Sequence, residues 1–582
     1  MNYYTLGLNF LHSDSSACIF ENGLLVAAAE EERFTRTKHT TTFPYQSIKF
    51  CLKKINLDIS RVNFITVNTN PLSSLWHKFS FISKNLKSLP IAFNSINNSS
   101  KKYNLSQYIS KIDNHKKFSG IIKFIDHHES HMASSLFFND FNECVNLSID
   151  GFGDFASCAW GFSKNKNLKI DKKVYFPHSL GIFYQAMTQY LGFKNYGDEY
   201  KVMGLSSYGK PIYAERLKKE VIHFQENTIK LNLQYFSHHT SNFSYYFENG
   251  IPIFENLYSK KLSNLFGKPR TIDEKISNFH KDLAASVQTV FEEYVIKILN
   301  NLYDEYKVEN LVLAGGCAFN SVLNGKLKEK TKFKDIYISS NAGDAGGAIG
   351  SALYQSSKVD KAFINKKEVQ TFFGTKYDNK YIEDNIIRAT DLKALGYESK
   401  YFKNFNELVE ETTEHLNNKK VIAWFQDRME WGPRALGNRS ILADPRDPNM
   451  RNTINLKVKR REDFRPFAPA ILEEYVEKFI VDNEESDFMS YVSKAKSTAA
   501  SEIPSAVHID GTCRFQTVKK ANNRKFYDLI NSFYKKTGVP VLLNTSLNIN
   551  DPICENPSDA FELFAKTSVD VLVIQNWILT KN

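Results

Sequence analysis

The stretch that decides the fold, residues 143–162, reads ECVNLSIDGFGDFASCAWGF. An apolar run ends at Asp150, a short turn of glycine and aspartate follows, and a second apolar run begins, which predicts strand, turn and strand. Residues 3–34 repeat this order, with YYTLGLNF, the polar turn HSDSS and then ACIFENGLLVAAAEEERF. A third unit, NLVLAGGCAFNSVLNGKL from residue 310, has a strand ending in Gly315 and Gly316 before a predicted helix.

Repeated strand-turn-strand units with a Gly-Gly strand end are typical of actin-like and sugar-kinase ATPase folds. Glycine and serine turns suit such folds because they expose backbone N–H groups to phosphate oxygens. The sequence therefore predicts an α/β domain that binds a nucleotide, with Gly315 and Gly316 at the phosphates.

The chain has 582 residues, and a prior of about 150 residues per domain predicts more than one core. The glycine-rich pattern ends after NAGDAGGAIGSALYQSSK, and the polar VDKAFINKKE follows. We place a domain boundary there, giving domains at 1–365 and 366–582. Residues 70–120 and 225–265 read as insertions that shape a substrate pocket.

The composition, with 42% hydrophobic and 24% charged residues, is that of a water-soluble globular protein. We find no apolar run near the roughly 18 residues of a membrane span and no export leader at the N-terminus, so we expect no membrane and a cytoplasmic location. The seven scattered cysteines predict reduced thiols. The net charge of +11 is spread along the chain, so anionic small substrates account for it as well as nucleic acid does.

The segment DHHESHMASS, which begins at residue 126, contains a candidate metal site. His127 and His131 are four residues apart and would project from one face of a helix. Asp150 and Asp344 would add two oxygen ligands if the fold brings them to the histidines. Two imidazoles and two carboxylates suit iron(II), manganese(II) or zinc(II) better than calcium.

The C-terminal domain concentrates positive charge next to glycine and proline. Guanidinium groups match phosphate oxygens bidentately, and the apolar residues between them, such as Trp431 and Phe467, favour a cavity over a solvated face. Asn544, Thr545 and Ser546 follow the predicted strand VPVLLN and would either bind a nucleotide or form a turn. The clustered basic residues are Arg428, Arg434, Arg439, Lys459, Arg460, Arg461 and Arg465.

At this point the motifs carry a resemblance. The blocks AAAEEERFTRTKHTTTFP, HHESHMASS, SIDGFGD, EYKVMGLSSYG, LAGGCAFN, NAGDAGGAIG, WGPRALGNRSILADPR, FRPFAPAIL and LLNTSLNIN resemble the O-carbamoyltransferase family. That family includes carbamoyltransferases of the nodulation-protein-U, cephalosporin and tobramycin types. The resemblance is collinear over nearly the whole chain.

The resemblance implies two catalytic domains. The N-terminal domain would be actin-like and similar to threonylcarbamoyl transferases, and the C-terminal domain would be YrdC-like. The second would make carbamoyl adenylate from carbamoyl phosphate and ATP, which binds with magnesium, and pyrophosphate would leave. The first would transfer the carbamoyl group to an acceptor hydroxyl while AMP departs, and its metal, most simply iron(II), would bear charge at the AMP phosphate.

The resemblance also implies roles for single residues. A histidine in the turn after the first strand would act as general base; here the turn is HSDSS, so His12 is the candidate and Asp14 the alternative. Lys38, His39, Glu199 and Lys201 match pocket motifs, with the two lysines on phosphate or carbamoyl oxygens. Asn320 would join Gly315 and Gly316 at the nucleotide, and Arg514 would join the arginine cluster.

Other functions stay open at this stage. Threonylcarbamoyl transfer to tRNA is one alternative, although no concentrated basic face appears, so we expect no nucleic-acid partner. An actin-like kinase or ATP-driven binding module is another, but neither needs the histidine pair or the arginine-rich domain. Tyrosine, phenylalanine and asparagine in 225–265 favour a saccharide or a similar natural product as acceptor. The sequence leaves the oligomeric state open, with a homodimer among the options.

Overall fold

Residue contacts in this computed structural model divide the chain into two units. Unit 1 comprises Met1–Asn320 and Lys326–Glu368, and unit 2 comprises Ser321–Gly325 and Val369–Asn582. The boundary expected near residue 365 falls within 360–370, outside the described residues, as does 86–103 of the first expected insertion. The residues that the structure describes are 2–85, 104–113, 116–240, 245–359, 371–462, 464–465, 467–482 and 485–581.

Two five-stranded sheets with the same topology form the centre of unit 1. The first contains β1 (Tyr4–Asn9), β2 (Ser16–Glu21), β3 (Leu24–Glu30), β4 (Phe64–Val67) and β5 (Ile121–Phe124). The second contains β6 (Glu143–Gly153), β7 (Ala156–Lys164), β8 (Asn167–Tyr175), β13 (Asn310–Ala314) and β14 (Asp335–Tyr337); two hairpins lie between them in the chain, β9 (Ile222–Gln225) with β10 (Thr228–Leu231), and β11 (Tyr245–Glu248) with β12 (Ile251–Phe254).

The two sheets have the orders β3-β2-β1-β4-β5 and β8-β7-β6-β13-β14. In each, the first three strands form antiparallel hairpins. The fourth strand pairs in parallel with the first, and the fifth pairs in parallel with the fourth. The two strand-turn-strand motifs predicted from the sequence are the hairpin parts of these sheets, and the third predicted unit supplies β13. The predicted α/β class is thus confirmed.

The helices of unit 1 cover the sheets, and one of them packs unusually closely. The helix at Gly346–Val359 is rich in glycine and alanine. A Cβ placed on Gly350 would lie 1.7 Å from the Ser130 carbonyl oxygen, and one on Gly7 in β1 would lie 2.1 Å from the Ala348 carbonyl oxygen. Only glycine permits these approaches.

The longer helices are α1 (Glu31–Thr35), α2 (Tyr45–Lys54), α3 (Leu75–Lys84), α4 (Leu105–Ile109), α5 (His127–Leu136), α6 (Leu180–Tyr190), α7 (Glu199–Ser206), α8 (Ala214–Glu220), α9 (Asn278–Tyr306) and α10 (Gly346–Val359).

Unit 2 is built on one mixed eight-stranded sheet of order β15-β24-β23-β16-β17-β22-β18-β21. Its central strands are buried along their whole length and read as continuous apolar runs, as strands covered on both faces do. The eight strands of the sheet are β15 (Tyr397–Tyr401), β16 (Ile422–Phe425), β17 (Arg439–Ala443), β18 (Ala468–Leu472), β21 (Gln516–Val518), β22 (Val541–Ser546), β23 (Val571–Ile574) and β24 (Trp577–Lys581). A separate two-stranded sheet contains β19 (Val492–Lys494) and β20 (Thr512–Arg514). The longer helices are α11 (Phe405–Asn417), α12 (Met450–Ile454), α13 (Ser497–Glu502), α14 (Arg524–Thr537) and α15 (Pro557–Lys566).

Across the residues that the structure describes, no helix is both long and apolar enough to span a membrane.

Candidate active site

Helix α5 carries the predicted histidine pair. Its N-cap, Asp126, accepts hydrogen bonds from the backbone N–H groups of His128 and Glu129, which sets the first turn. Residues four apart lie on one face of a helix, and His127 and His131 are both almost fully buried there. Their Nε2 atoms are 3.0 Å apart. The two imidazoles therefore point at one spot.

The fold brings Asp150 and Asp344 to the same spot. His131 Nε2 lies 3.0 Å from Asp150 Oδ2 and 3.4 Å from Asp344 Oδ1. His127 Nε2 lies 3.7 Å and 3.8 Å from the same two oxygens. One ligand atom from each of the four residues lies within 4.8 Å of the others. These four residues are the complete predicted set.

Strand β6 delivers Asp150 through a local irregularity. The sequence predicts that the strand ends at Asp150, but β6 runs on to Gly153 after a register shift between Ile149 and Gly153. Such a bulge re-aims a side chain relative to the regular pleat. The turn that follows, Asp154 and Phe155, has both φ angles positive, as a two-residue hairpin turn requires.

The four residues fit a divalent cation. Asp344 Oδ1 is buried and accepts no hydrogen bond from the described residues, although the Nε2 atoms of His131 and His127 lie 3.4 Å and 3.8 Å from it. His131 Nδ1 lies 3.1 Å from the Ala342 carbonyl oxygen, which orients Nε2 toward the carboxylates. Burial opposes protonation of His131, yet the two carboxylates raise its pKa to about 10. The site therefore attracts positive charge, which a metal ion can supply.

His12 lies beside this cluster, as expected for a group that acts near it. Its Nδ1 is 2.9 Å from Asp344 Oδ2, and its side chain remains 29% exposed. Its Nε2 lies 3.4 Å from the Phe152 carbonyl oxygen. Ser13, which the sequence analysis does not single out, donates a 2.5 Å hydrogen bond to the same Asp344 oxygen. His12 is thus oriented by a residue of the candidate metal site.

Asp14, the alternative base, has a different partner. His39 Nδ1 lies 2.7 Å from Asp14 Oδ1. Burial alone would lower the pKa of His39, but the Asp14 carboxylate and its hydrogen bond raise it to about 9. The charge of Lys38 acts on His39 as well. Asp14 and His39 form an ion pair at neutral pH, which makes His12 the better placed of the two base candidates.

A buried network of ion pairs and hydrogen bonds, which sequence reasoning missed, supports the segment that carries His39. Arg33 Nη1 lies 2.8 Å from Glu32 Oε1, and Arg33 also pairs with Glu30. The second Glu32 oxygen accepts a 2.9 Å hydrogen bond from the His39 backbone N–H. Asn341 Nδ2 donates to Glu30 at 2.8 Å. The run EEER in the sequence signals this network only once its burial is known.

Glu199 and Lys201 begin helix α7. Lys201 Nζ is 3.0 Å from Asp198 Oδ1 and 5.5 Å from the centre of the Phe193 ring, so its ammonium group already contacts residues of unit 1. Burial raises the pKa of Glu199 to about 7, and the charges of Asp14 and His39 act on it too. Glu199 therefore belongs to the same neighbourhood as the Asp14–His39 pair.

The predicted nucleotide residues of unit 1 lie next to Asp150. The Gly316 N–H donates to Asp150 Oδ2 at 3.2 Å, and Gly315 has a φ of +86°. A 3₁₀ turn, Gly316–Phe319, follows, and the predicted helix comes after it as two short helices, Ser321–Asn324 and Leu327–Lys330. Asn320 exchanges hydrogen bonds of 2.9 and 3.0 Å with Gln288 of α9, a residue that sequence reasoning missed.

In unit 2, three of the predicted anion ligands contact the protein's own oxygens. Arg439 is fully buried; its guanidinium lies 3.7 Å from the centre of the Phe425 ring and donates to backbone carbonyl oxygens, among them that of Gln426 at 2.6 Å. Arg428 donates to the Gly374 and Phe373 carbonyl oxygens. Lys459 is also buried, and its ammonium donates to oxygens of Ser546 and Asn548. These contacts support the fold around the cluster.

Two other arginines of unit 2 lie close together. Burial and the charge of Arg434 hold the pKa of Arg514 well below its ordinary value. Arg514 Nε donates to the Met489 carbonyl oxygen at 2.9 Å. Two half-buried arginines that repel each other create the positive potential that an anion would relieve.

The remaining predicted residues of unit 2 have other contacts. The Arg461 guanidinium lies 4.6 Å from the centre of the Phe467 ring, and Arg465 forms a 3.5 Å ion pair with Glu462. Asn544, Thr545 and Ser546 end strand β22 and pair with β17. Asn544 Nδ2 donates to the Ala435 carbonyl oxygen at 3.1 Å and to Gln516 Oε1 at 2.9 Å, while its Oδ1 has no partner among the described residues. Arg460 is exposed.

The comparisons with known proteins identify the class. Residues 4–353 match the family model described as carbamoyltransferase N-terminus, and residues 413–581 match carbamoyltransferase C-terminus. The chain belongs to the carbamoyltransferase family and is an enzyme of that kind. The resemblance drawn from the sequence motifs is thereby confirmed.

Relatives of this chain include proteins from three bacteria. An uncharacterised protein of Synechocystis is 35% identical over 99% of this chain and 97% of its own length. Nodulation protein NolNO of Sinorhizobium fredii is 32% identical over 100% of this chain and 80% of its length. The 3'-hydroxymethylcephem-O-carbamoyltransferase of Amycolatopsis lactamdurans is 30% identical over 41% of this chain and 42% of its length. Among solved structures, HypF of T. kodakarensis has a TM-score of 0.32 at 12% identity, covering 62% of this chain and 48% of its own, which is too weak a similarity to argue from.

Proposed function

We propose that this protein is an ATP-dependent O-carbamoyltransferase with two half-reactions, one in each unit. In unit 2, carbamoyl phosphate, ATP and water would give carbamoyl adenylate, pyrophosphate and phosphate. In unit 1, the oxygen of an acceptor hydroxyl would bond to the carbamoyl carbon, the bond to the AMP oxygen would break, and the hydroxyl proton would pass to a base. The acceptor would be a saccharide or a similar natural product.

The observation that carries the proposal is the convergence of His127, His131, Asp150 and Asp344 in unit 1. These residues would hold the metal, which we propose to be iron(II), with manganese or zinc as alternatives. When bound, a divalent ion supplies positive charge for the leaving phosphate of AMP. The duplicated sheet around the site supports an actin-like assignment for residues 1–365.

His12 is the proposed general base. Its Nδ1 lies 2.9 Å from Asp344 Oδ2 and its Nε2 lies 3.4 Å from the Phe152 carbonyl oxygen, so the ring is held at both edges beside the cluster. A base must lie within hydrogen-bond reach of the proton that it removes, and the exposed edge of His12 meets that need beside the four-residue cluster. Lys38, Glu199 and Lys201 are proposed to line the same pocket, with Gly315, Gly316 and Asn320 at the nucleotide.

For unit 2 we propose the YrdC-like activating role, for residues 366–582. Carbamoyl phosphate and ATP, which binds with magnesium, are strongly anionic, and the mutual repulsion of Arg434 and Arg514 supports an anion site there. Asn544 Oδ1, which is buried and has no hydrogen-bond partner among the described residues, supports a polar ligand at the same part of the sheet. Arg461 and Arg465 are proposed as further ligands, and Arg428, Arg439 and Lys459 as residues that position the site.

The test is release of pyrophosphate from ATP by the full chain, with and without carbamoyl phosphate. We expect release only with carbamoyl phosphate. Arg434→Ala should reduce it at least tenfold, and Arg388→Ala, at an exposed arginine of the same unit, should leave it unchanged. The double variant His127→Ala/His131→Ala should release pyrophosphate normally but fail to carbamoylate any acceptor.

Two results would refute the proposal. If ATP yields ADP without carbamoyl phosphate, a kinase or an ATP-driven binding module takes its place. If pyrophosphate release is lost equally in the arginine and histidine variants, the division of the two half-reactions between the units is wrong.

A further inference from the structure

Four half-buried phenylalanines and one buried histidine form a group of contacting rings in unit 1, which we call the aromatic wall and define as Phe81, Phe152, Phe155, Phe176 and His238. The ring centres of Phe152 and Phe155 lie 5.0 Å and 5.3 Å from that of Phe176. Phe81, from helix α3, packs edge-on against Phe176 at 4.9 Å. His238 closes the group 5.7 Å from Phe176 and is itself fully buried.

The wall begins beside the proposed base. The carbonyl oxygen of Phe152 is 3.4 Å from His12 Nε2, so Phe152 lies next to the atom that would take the acceptor proton. Gly151, the residue between Phe152 and the candidate metal ligand Asp150, borders open space, because a Cβ placed there would meet no atom of the described residues within 4 Å. Space for a ligand therefore lies where the wall meets the site.

The wall is uncharged and held in place. Burial lowers the pKa of His238 to about 3, so its imidazole is neutral. Asp154, between Gly153 and Phe155, accepts hydrogen bonds from Thr69 Oγ1 at 2.6 Å and from the His127 N–H at 2.9 Å, which fixes the turn that presents the two phenylalanines. A rigid aromatic surface binds flat apolar faces with little loss of conformational freedom.

The geometry points to an acceptor that carries its reacting hydroxyl close to a flat, apolar ring, with that ring against Phe152 and Phe176. This rests on the proposed function and narrows its substrate class from polar saccharides in general to ring-bearing alcohols such as aryl glycosides. Residues 225–265, which the sequence predicts to shape the acceptor pocket, would then contribute less to acceptor binding. From its described part, Phe254 stacks 5.8 Å from Tyr196, whose ring centre lies 5.2 Å from that of His39.

The experiment compares two probes on the full chain, 4-nitrophenyl β-D-glucopyranoside and methyl β-D-glucopyranoside. Dissociation constants come from saturation-transfer difference NMR titrations, and pyrophosphate release with carbamoyl phosphate is measured on the same samples. We expect the aryl glycoside to bind roughly tenfold more tightly, with saturation transferred mainly to its aryl ring. Phe176→Leu and Phe152→Leu keep apolar bulk but remove the ring face, and each should weaken aryl binding by roughly three- to tenfold.

The matched control is Phe162→Leu, at a half-buried phenylalanine stacked on Tyr306. Phe162 lies on β7 six residues beyond Ala156, which pairs with Gly153, so it is about 20 Å along the strand from the wall. This variant should bind the aryl probe like the wild type.

The outcomes separate the two proposals. Equal binding of the two probes, no binding of either, or an aryl preference that survives in both Phe176→Leu and Phe152→Leu would overturn the inference while pyrophosphate release leaves the proposed function standing. Loss of pyrophosphate release in the wild type would instead refute the proposed function, and the aryl preference would still be measured independently.

Discussion

Three neighbouring histidines show how strongly the position on a helix decides a residue's chemistry. His127 and His131 face the two carboxylates of the candidate metal site. His128, one residue along, points elsewhere, with Nδ1 2.8 Å from Ser148 Oγ. Burial and the neighbouring histidines lower the pKa of His128 to about 3, whereas the carboxylates raise that of His131 to about 10. The same residue type is neutral in one place and suited to a cation site in the other.

The His39–Asp14 pair predicts a pH dependence of stability. Because the folded-state pKa of His39 is raised to about 9, above its ordinary value of 6.5, its contribution is complete below about pH 6.5 and is lost as the pH rises through 9. We expect the melting temperature of His39→Gln to lie below that of the wild type at pH 6 and to converge with it at pH 10. Scanning fluorimetry between these values tests this. A difference that does not change with pH would contradict it.

Gly153 and Gly151 offer a matched pair of substitutions. A Cβ at Gly153 would lie 2.1 Å from the His127 ring, so Gly153→Ala should displace that imidazole. We expect bound iron per chain, measured by elemental analysis, to fall at least tenfold. Gly151→Ala meets nothing within 4 Å and should keep its metal while raising the KM for an acceptor. Equal metal contents in the two variants would be evidence against His127 as a ligand.

At the scale of elements, the short helical turn Asn455–Lys459 holds the end of strand β22 in position through hydrogen bonds from Lys459. The Lys459 ammonium donates to the carbonyl oxygen of Ser546 at 2.6 Å and to both the carbonyl and side-chain oxygens of Asn548 at 2.8 Å. Lys459 is 1% exposed, so water cannot replace these donors. The predicted phosphate ligand therefore acts in this structure on the end of strand β22, which carries Asn544 to Ser546.

Lys459→Met leaves those buried oxygens without a donor. We expect a cost of about 2–4 kcal/mol in stability, because several acceptors of a charged group lose their partner, and a rise in the KM for carbamoyl phosphate. Lys457→Met, two residues away, breaks a part-exposed ion pair with Asp570 and should cost about 1 kcal/mol or less. Thermal melting and pyrophosphate-release kinetics measure both. Equal melting temperatures for the two variants would contradict the positioning role.

At the scale of the whole molecule, the chain does not divide at one point. Ser321–Gly325 belongs to unit 2, although the chain on both sides of it belongs to unit 1. Asn324 Nδ2 donates to the Ser490 carbonyl oxygen at 3.0 Å. Val492, in strand β19, pairs with Arg514 in β20. A segment flanked on both sides by unit 1 sequence thus supports the strand pair that holds one of the candidate anion ligands.

Gly325→Ala tests this arrangement. Its Cβ would lie 1.7 Å from the Val492 carbonyl oxygen, so the β19–β20 pair and Arg514 must shift. We expect pyrophosphate release to fall at least tenfold while the metal content of unit 1 is retained, which serves as the internal control for folding. Loss of metal with unchanged pyrophosphate release would show that the segment acts on unit 1 instead.

The sequence allowed much of unit 1 to be predicted because its signals are local. The strand-turn-strand repeats, the i, i+4 spacing of His127 and His131 and the Gly-Gly strand end all depend on neighbours in the chain. Signals that depend on burial were beyond its reach. The EEER run reads as a solvated charge cluster, but Glu30, Glu32 and Arg33 are all buried.

By itself, the sequence determined the α/β class, the family and the identity of the residues able to bind a metal, since these follow from periodicity, motif and residue chemistry. Only the tertiary structure decided which of them meet. Asp150 and Asp344 are almost 200 residues apart, and a bulge in β6 and the loop before α10 bring them to the same histidines. It likewise decided that Arg439 and Lys459 donate to backbone oxygens. A side chain's partners depend on which distant segments pack beside it, and local sequence does not encode that packing.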